Sequence, residues 1–189
     1  VPWSRYVLGY HGCDEAVARK VVVGSDTLRP SKNAYDWLGH GQYFWEDSPR
    51  RAHRWAQEES KRAGGKIKTP SVLGAVIDLG NCLNLIDAES LERVRSAHHR
   101  LEKLANELRL PLAINGGEDF RARKLDCAVL EALHQWRAED ELEAFDTVRA
   151  FFVEGEPLYP TAGIRQLDHI QICVRSSESI KGYFLPIGA

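Results

Sequence analysis

Methionine is absent and cysteine is sparse: the 189 residues hold no Met and four Cys. Cys13, Cys82, Cys127 and Cys173 lie far apart, with no C-x-x-C pair and no Cys/His cluster, so neither a zinc ligand set nor a disulfide framework is spelled out. The thiols are read as reduced. No window approaches the ~18 apolar residues of a membrane helix, and Val1 to Tyr10 lacks the charged start and apolar run of a secretory signal. A cytoplasmic protein or a delivered effector is the expectation. Because the chain starts at Val1 and has no methionine, an initiator or a longer upstream region is expected to be missing. The formal net charge of −2 leaves no global excess that would demand nucleic acid or an acidic membrane. Internal repeats and low-complexity linkers are also absent.

What is present suits one globular domain. Hydrophobic residues make up 43% and charged residues 28%, too apolar for a disordered chain and ample for a core. Charge is unevenly spread: Arg50 to Lys68 is basic, whereas Glu131 to Glu156 is acidic. A basic stretch beside a nucleotide site could hold pyrophosphate, but a solvated helix face is the commoner use.

Arg5 to His11 alternates, with Tyr6, Leu8 and Tyr10 on one face and His11 on the other, as in a strand ending at Gly12. Asp14 to Lys20 reads as a short helix, and Gly24 to Gly41 as loop with short strands. Ser48 and Pro49 start a helix running to about Ala63. Val72 to Leu79 is a strand covered on both faces. Asp87 caps a long helix ending before Pro111, and another helix runs from about Arg121. Phe145 to Val153, Asp168 to Arg175 and Ile180 to Leu185 read as strands. Strands at both ends with helices between them give an α+β class.

Three short patterns carry the chemistry: Tyr10-His11-Gly12, then Gly39-His40-Gly41-Gln42-Tyr43-Phe44 before the second helix, and His169-Ile170-Gln171 on a late strand. Each is weak singly. His11 alone reads more readily as a half-buried histidine, Gly39 and Gly41 as a tight turn, and Tyr43-Phe44 as core aromatics. In this order, however, they resemble the ADP-ribosyltransferase superfamily. The resemblance is to its diphtheria-toxin and poly(ADP-ribose) polymerase branch, whose signature is His, Tyr and Glu on three separated elements. The string Asp36 to Glu46 also looks like bacterial members of that superfamily.

The resemblance implies a single domain, 1–189, with a split sheet of two packed, mainly antiparallel sheets and a helical insertion at about 87–143. It implies NAD as substrate, with no metal, and transfer of ADP-ribose to a protein or nucleic acid in a toxin-like manner, with a cognate inhibitor or antitoxin as a further partner. The backbone of Gly12 would bind the nicotinamide carboxamide, His11 a ribose hydroxyl, and Tyr43 would stack on the ring. Tyr10, Gly41, Ser48 and Trp55 would complete the nucleotide site. Truncating Tyr43 would then weaken the ligand and spare the fold. Nicotinamide departs through a transition state with oxocarbenium character, so the site must hold the base and stabilise positive charge.

Two departures stand out. Gln171 occupies the place of the family's glutamate, keeping a hydrogen-bond acceptor and losing the charge. Strand alternation puts it on one face with His169, about 6.6 Å away at ~3.3 Å per residue. At about Arg51 the polymerase branch often has a serine that bonds the carboxamide, and Ser48 is the nearest substitute. The competing readings are an NAD or ADP-ribose binding module with weakened catalysis, an NAD glycohydrolase, and an RNA 2′-phosphotransferase, for which the arginines of 50–54 speak. Glu154 to Arg165 is the acceptor-loop candidate. His98, His99 and His134 are expected to be solvated, His40 to be a loop histidine, and Cys127 to be packed.

Overall fold

The computed structural model describes residues 6–117 and 120–188; Arg5, at the start of the first expected strand, lies outside them. Strand β1 (Tyr6–Asp14) leads directly into helix α1 (Glu15–Val22). Asp14 fixes that junction: its carboxylate accepts from the Ala16 N–H and, from the far side, from the N–H groups of Lys68 and Thr69. After a long loop come β2 (Gln42–Glu46) and α2 (Pro49–Ser60). Pro49 opens α2 as expected, although the Ser48 side chain makes no cap bond.

Next are β3 (Pro70–Asp78) and the short β4 (Cys82–Asn84). The long α3 (Ala88–Leu108) is capped by Asp87, which accepts from the Glu89 and Ser90 N–H groups. It ends at Arg109 in the left-handed conformation, just before Pro111. Helix α4 (Lys124–Glu139) starts three residues later than the periodicity suggests. Its free N–H groups at Leu125 and Asp126 are taken by the side chain of Asn115, a residue from the preceding loop. Strands β5 (Thr147–Phe152), β6 (His169–Val174) and β7 (Ile180–Phe184) close the chain.

All seven strands join one sheet in the order β4-β5-β6-β2-β1-β3-β7, antiparallel except for the β4–β5 pair. The α+β class therefore holds, but the expected two packed sheets are replaced by one continuous sheet. The division survives as a weak seam. β3 runs beside β1 for its whole length, from Tyr6–Asp78 to Asp14–Pro70, whereas β2 meets β1 only at Gly9–Glu46 and Tyr10–Trp45.

Because cross-strand partners share a face, the register sorts the core. One face, with Leu73, Ala75, Ile77, Phe44, Ile172 and Val174, packs under Ala18 and Val21 of α1. The other is covered in two places. α2 lays Ala52 on Trp45 and Val72, and α4 lays Leu130 on Val148, Ala150, Phe152 and Cys173. Trp45, His169 and Gln171 lie on this second face, Trp45 beneath α2 and His169 opposite Phe152.

Candidate functional site

The three sequence motifs, up to 160 residues apart, lie on three adjacent central strands: β6, β2 and β1. The register brings Tyr10, Trp45 and Gln171 abreast in one row, since Trp45 pairs with Tyr10 on one side and Gln171 on the other. These side chains share the face beneath α2. Gln171 is half-buried, and its amide has no hydrogen bond to another described residue.

Gly12 comes very close to α2: a Cβ there would sit 2.3 Å from the Ala52 carbonyl oxygen and 3.0 Å from the Trp55 ring. Only glycine allows the helix to lie this close to the strand. Trp55 packs against Trp45 with ring centroids 5.8 Å apart, so the two indoles and Tyr10 form an aromatic wall beside Gly12. Ser48, half-buried at the start of α2, has a hydroxyl with no capping role.

His11 belongs to the opposite face, as alternation from Tyr10 requires, with its ring 5.9 Å from that of Phe44. Its Nδ1 lies 2.8 Å from the Tyr43 carbonyl. A carbonyl only accepts, so Nδ1 carries the proton and the imidazole acts as a strut across the β1–β2 seam. Burial keeps its pKa below the ordinary value, with the Tyr43 carbonyl opposing in part.

Tyr43 and Gly41 serve the Gly39–Phe44 segment itself. The Tyr43 hydroxyl donates to the Gly39 carbonyl at 2.6 Å and accepts from the Leu38 N–H at 2.8 Å. Its ring packs toward the α4 core, and burial raises its pKa. Gly41 exchanges both backbone hydrogen bonds with Ser31, and a Cβ on it would lie 2.5 Å from the Cys173 sulfur. Two residues that the sequence did not single out complete this anchor. Glu131 of α4 accepts from the His40 N–H at 2.8 Å and pairs with Arg175 at 2.6 Å, while Arg175 also donates to the His40 carbonyl. His11, Tyr43 and Gln171 are thus brought to neighbouring strands but not to one wall.

Trp45 stands across from Gln171 on β2 and His169 two residues before it on the same face, and the pair Arg51–Glu154 meets these two side chains. Arg51, on the first turn of α2, pairs with Glu154 at 2.8 Å. Glu154 follows β5 and lies 3.8 Å from His169 Nδ1 and 3.8 Å from Arg121. The Arg51 guanidinium also sits 5.3 Å from the centre of the Trp45 ring. Farther along, Arg123 is stacked between Trp37 and Phe152, at 4.2 and 4.8 Å, and Phe152 touches His169. Beyond it a cavity of about 250 Å³ opens between α3 and α4, over Leu38, Leu130 and Ala150. Arg51, His169 and Glu154 were each legible singly, but their meeting was not, since Glu154 is 103 residues from Arg51.

His134, expected to be solvated, is instead half-buried beside Phe145, with an enclosed ring nitrogen. Burial first, then Arg175 and Arg137, push its pKa down to about 4. His11 and His169 are lowered by burial as well. Cys127 is packed, as expected, and none of the four cysteines is joined in a disulfide.

A pH dependence follows. The unfolded chain takes up protons on these imidazoles as pH falls below about 6.5, while the folded chain resists until lower pH. The unfolded state then binds more protons, so stability must fall with pH. The urea midpoint is expected to drop between pH 6.5 and about 4, and His134→Leu should flatten the slope. Asp14 and Glu131 act lower still, because backbone N–H groups for Asp14, and Arg175 outweighing burial for Glu131, hold their folded pKa values down. A midpoint constant across that window would contradict neutral, buried histidines.

Comparison with protein-family models, curated proteins and solved structures finds no significant match to the chain. Among the described residues no helix is long and apolar enough to cross a membrane, and no group of three or more His, Cys, Asp or Glu could hold a metal ion.

Proposed function

We propose that the chain is an NAD-dependent mono-ADP-ribosyltransferase acting on a macromolecular acceptor, with its reaction centred on Gln171. The observation that carries this reading is the row Tyr10–Trp45–Gln171. Three motifs, the last more than a hundred residues from the other two, converge on adjacent strands, with an amide that bonds no other described residue at one end and an aromatic wall with Gly12 at the other. Nicotinamide lies against Trp45 and Trp55, and its carboxamide meets the Gly12 strand. The bond from ribose C1′ to the nicotinamide nitrogen breaks with its electron pair going to the leaving base. The acceptor nucleophile then attacks C1′ and loses its proton to solvent water. The Gln171 amide oxygen accepts from a ribose hydroxyl and holds the sugar as positive charge develops. His11 acts here as a positioning residue, tying β1 to β2, and Tyr43 shapes the loop that delivers Trp45.

The acceptor side is the β5–β6 connection, Glu154 to Arg165, which exposes Leu158, Tyr159 and Ile164 beside the site. A second reading, an ADP-ribose binding module with little catalysis, is favoured by the neutral side chain of Gln171. The deciding experiment incubates the protein with NAD and follows free nicotinamide. Release is expected, and mass analysis of added protein, DNA and RNA then identifies the acceptor. Binding of ADP-ribose without nicotinamide release selects the module; neither binding nor release overturns both readings.

A further inference from the structure

Trp45, which pairs with Gln171, together with Arg51 above it and His169, holds an unusual set of polar atoms without partners among the described residues. Arg51 is 10% exposed and His169 2%. Buried with no hydrogen-bond partner among the described residues are Nε and Nη1 of Arg51, Nε1 of Trp45 and Nε2 of His169. Buried polar groups are nearly always paired, because an unpaired one forfeits its bonds to water. Four such atoms within one cluster mark a place built to meet something else.

Their chemistry defines the complement. Arg51 and Trp45 offer N–H donors only. His169 offers the reverse: its Nδ1 lies 2.6 Å from the Leu167 carbonyl and must carry the proton, so the neutral ring presents Nε2 as an acceptor. Two guanidiniums, Arg51 and Arg121, converge on the carboxylate of Glu154, while the second carboxylate nearby, Asp168, is taken up by the N–H groups of Glu154 and Arg165. A ligand that fits supplies anionic oxygens to the guanidinium and indole, and a hydroxyl proton to the imidazole.

The geometry points to a subsite for a phosphorylated sugar at Arg51, Trp45 and His169, with the phosphate on Arg51 and Trp45 and a sugar hydroxyl on His169. It rests on the reading that this face takes NAD, and adds where the ribose phosphate sits. The Arg51–Glu154 pair keeps the guanidinium in place through Nη2 and leaves Nε and Nη1 for the ligand. Nε and Nη1 lie on opposite edges of the planar guanidinium, so each donates singly, to separate oxygens of the ligand.

Calorimetric titration with ADP-ribose, ribose 5-phosphate, inorganic pyrophosphate and nicotinamide tests this on the full chain. ADP-ribose and ribose 5-phosphate are expected to bind. Arg51→Gln should weaken both at least tenfold and change nicotinamide affinity less than twofold, and Arg51→Lys should restore only part of the loss. Trp45→Phe keeps the Arg51–Glu154 pair and removes a single donor; a severalfold loss is expected even if Arg51→Gln fails to fold. Unchanged affinity for the sugar phosphates in Trp45→Phe and in folded Arg51→Gln overturns the subsite. So does pyrophosphate binding that equals ADP-ribose binding, which marks a general anion site. Arg51-dependent ADP-ribose binding without nicotinamide release keeps the subsite and sinks the transferase. Nicotinamide release with ADP-ribose affinity indifferent to Arg51 does the opposite.

Discussion

Tyr43→Ala is expected to destabilise the protein by about 3 kcal/mol, in the range of buried aromatic truncations, and to lower its Tm by several degrees. The ring packs against the Leu38, Leu130 and Phe152 cluster under α4, and the hydroxyl ties the Leu38 N–H and the Gly39 carbonyl into one loop. Tyr43→Phe isolates the second part. Losing the hydroxyl leaves a donor and an acceptor in need of new partners, at a cost of about 1–3 kcal/mol. Urea unfolding at an unchanged m-value measures both. The resemblance implies the contrary outcome, weakened ligand with the fold intact. If Tyr43→Ala shifts the urea midpoint little and abolishes binding of nicotinamide, the ring faces the ligand and the loop-anchoring account fails.

The case of Tyr43 indicates which parts of the molecule a sequence can express. Its place before a helix, and the glycines at 39 and 41, are local, so the tight turn could be anticipated, although no strand was expected at Gln42–Glu46. Which way the side chain turns is set by what approaches from elsewhere: Glu131 from α4 and Arg175 from the end of β6 pull the 39–41 turn toward the α4 side. Those partners lie 91 and 135 residues away, and neither announces itself by spacing. The helix starts behave in the same way. Asp87 caps its own helix and was readable as a cap, and Asp14 marked the start of α1, while α4 waits for Asn115 from outside and so begins later than its apolar period suggests.

The same contrast runs through the candidate site. Alternation along Arg5 to His11 already put His11 opposite Tyr10, and the register agrees for the described part of that strand. Alternation along Asp168 to Arg175 put His169 and Gln171 on one face, and their pairing with Phe152 and Ala150 of β5 bears that out. The position of Arg51 over Trp45, and of Glu154 against Arg51, depends on a helix, a strand end and a loop meeting. Periodicity has no access to such a meeting. Nor could it reveal that a sheet expected to divide in two stays continuous through two pairs of residues at Gly9 and Tyr10.

Gln171→Ala is expected to abolish NAD turnover while shifting stability by less than about 1 kcal/mol, because it removes a half-buried amide that bonds no other described residue. If Gln171 acts chiefly as the C1′–nitrogen bond breaks, turnover falls further than NAD affinity does, so kcat drops with little change in KM. Gln171→Glu is the sharper comparison. The side chain keeps its size and its acceptor and gains a negative charge, which opposes the positive charge developing on the ribose. The guanidinium of Arg51 above the neighbouring Trp45 makes this a site where an added carboxylate finds positive charge nearby. Gln171→Glu is therefore expected to fold and to raise nicotinamide release to water, measured as free nicotinamide without an acceptor present. An increase identifies the amide as the group limiting charge stabilisation in a working enzyme. Parental activity in both Gln171→Ala and Gln171→Glu places the reaction away from β6, and the row Tyr10–Trp45–Gln171 is then a packing feature of the sheet.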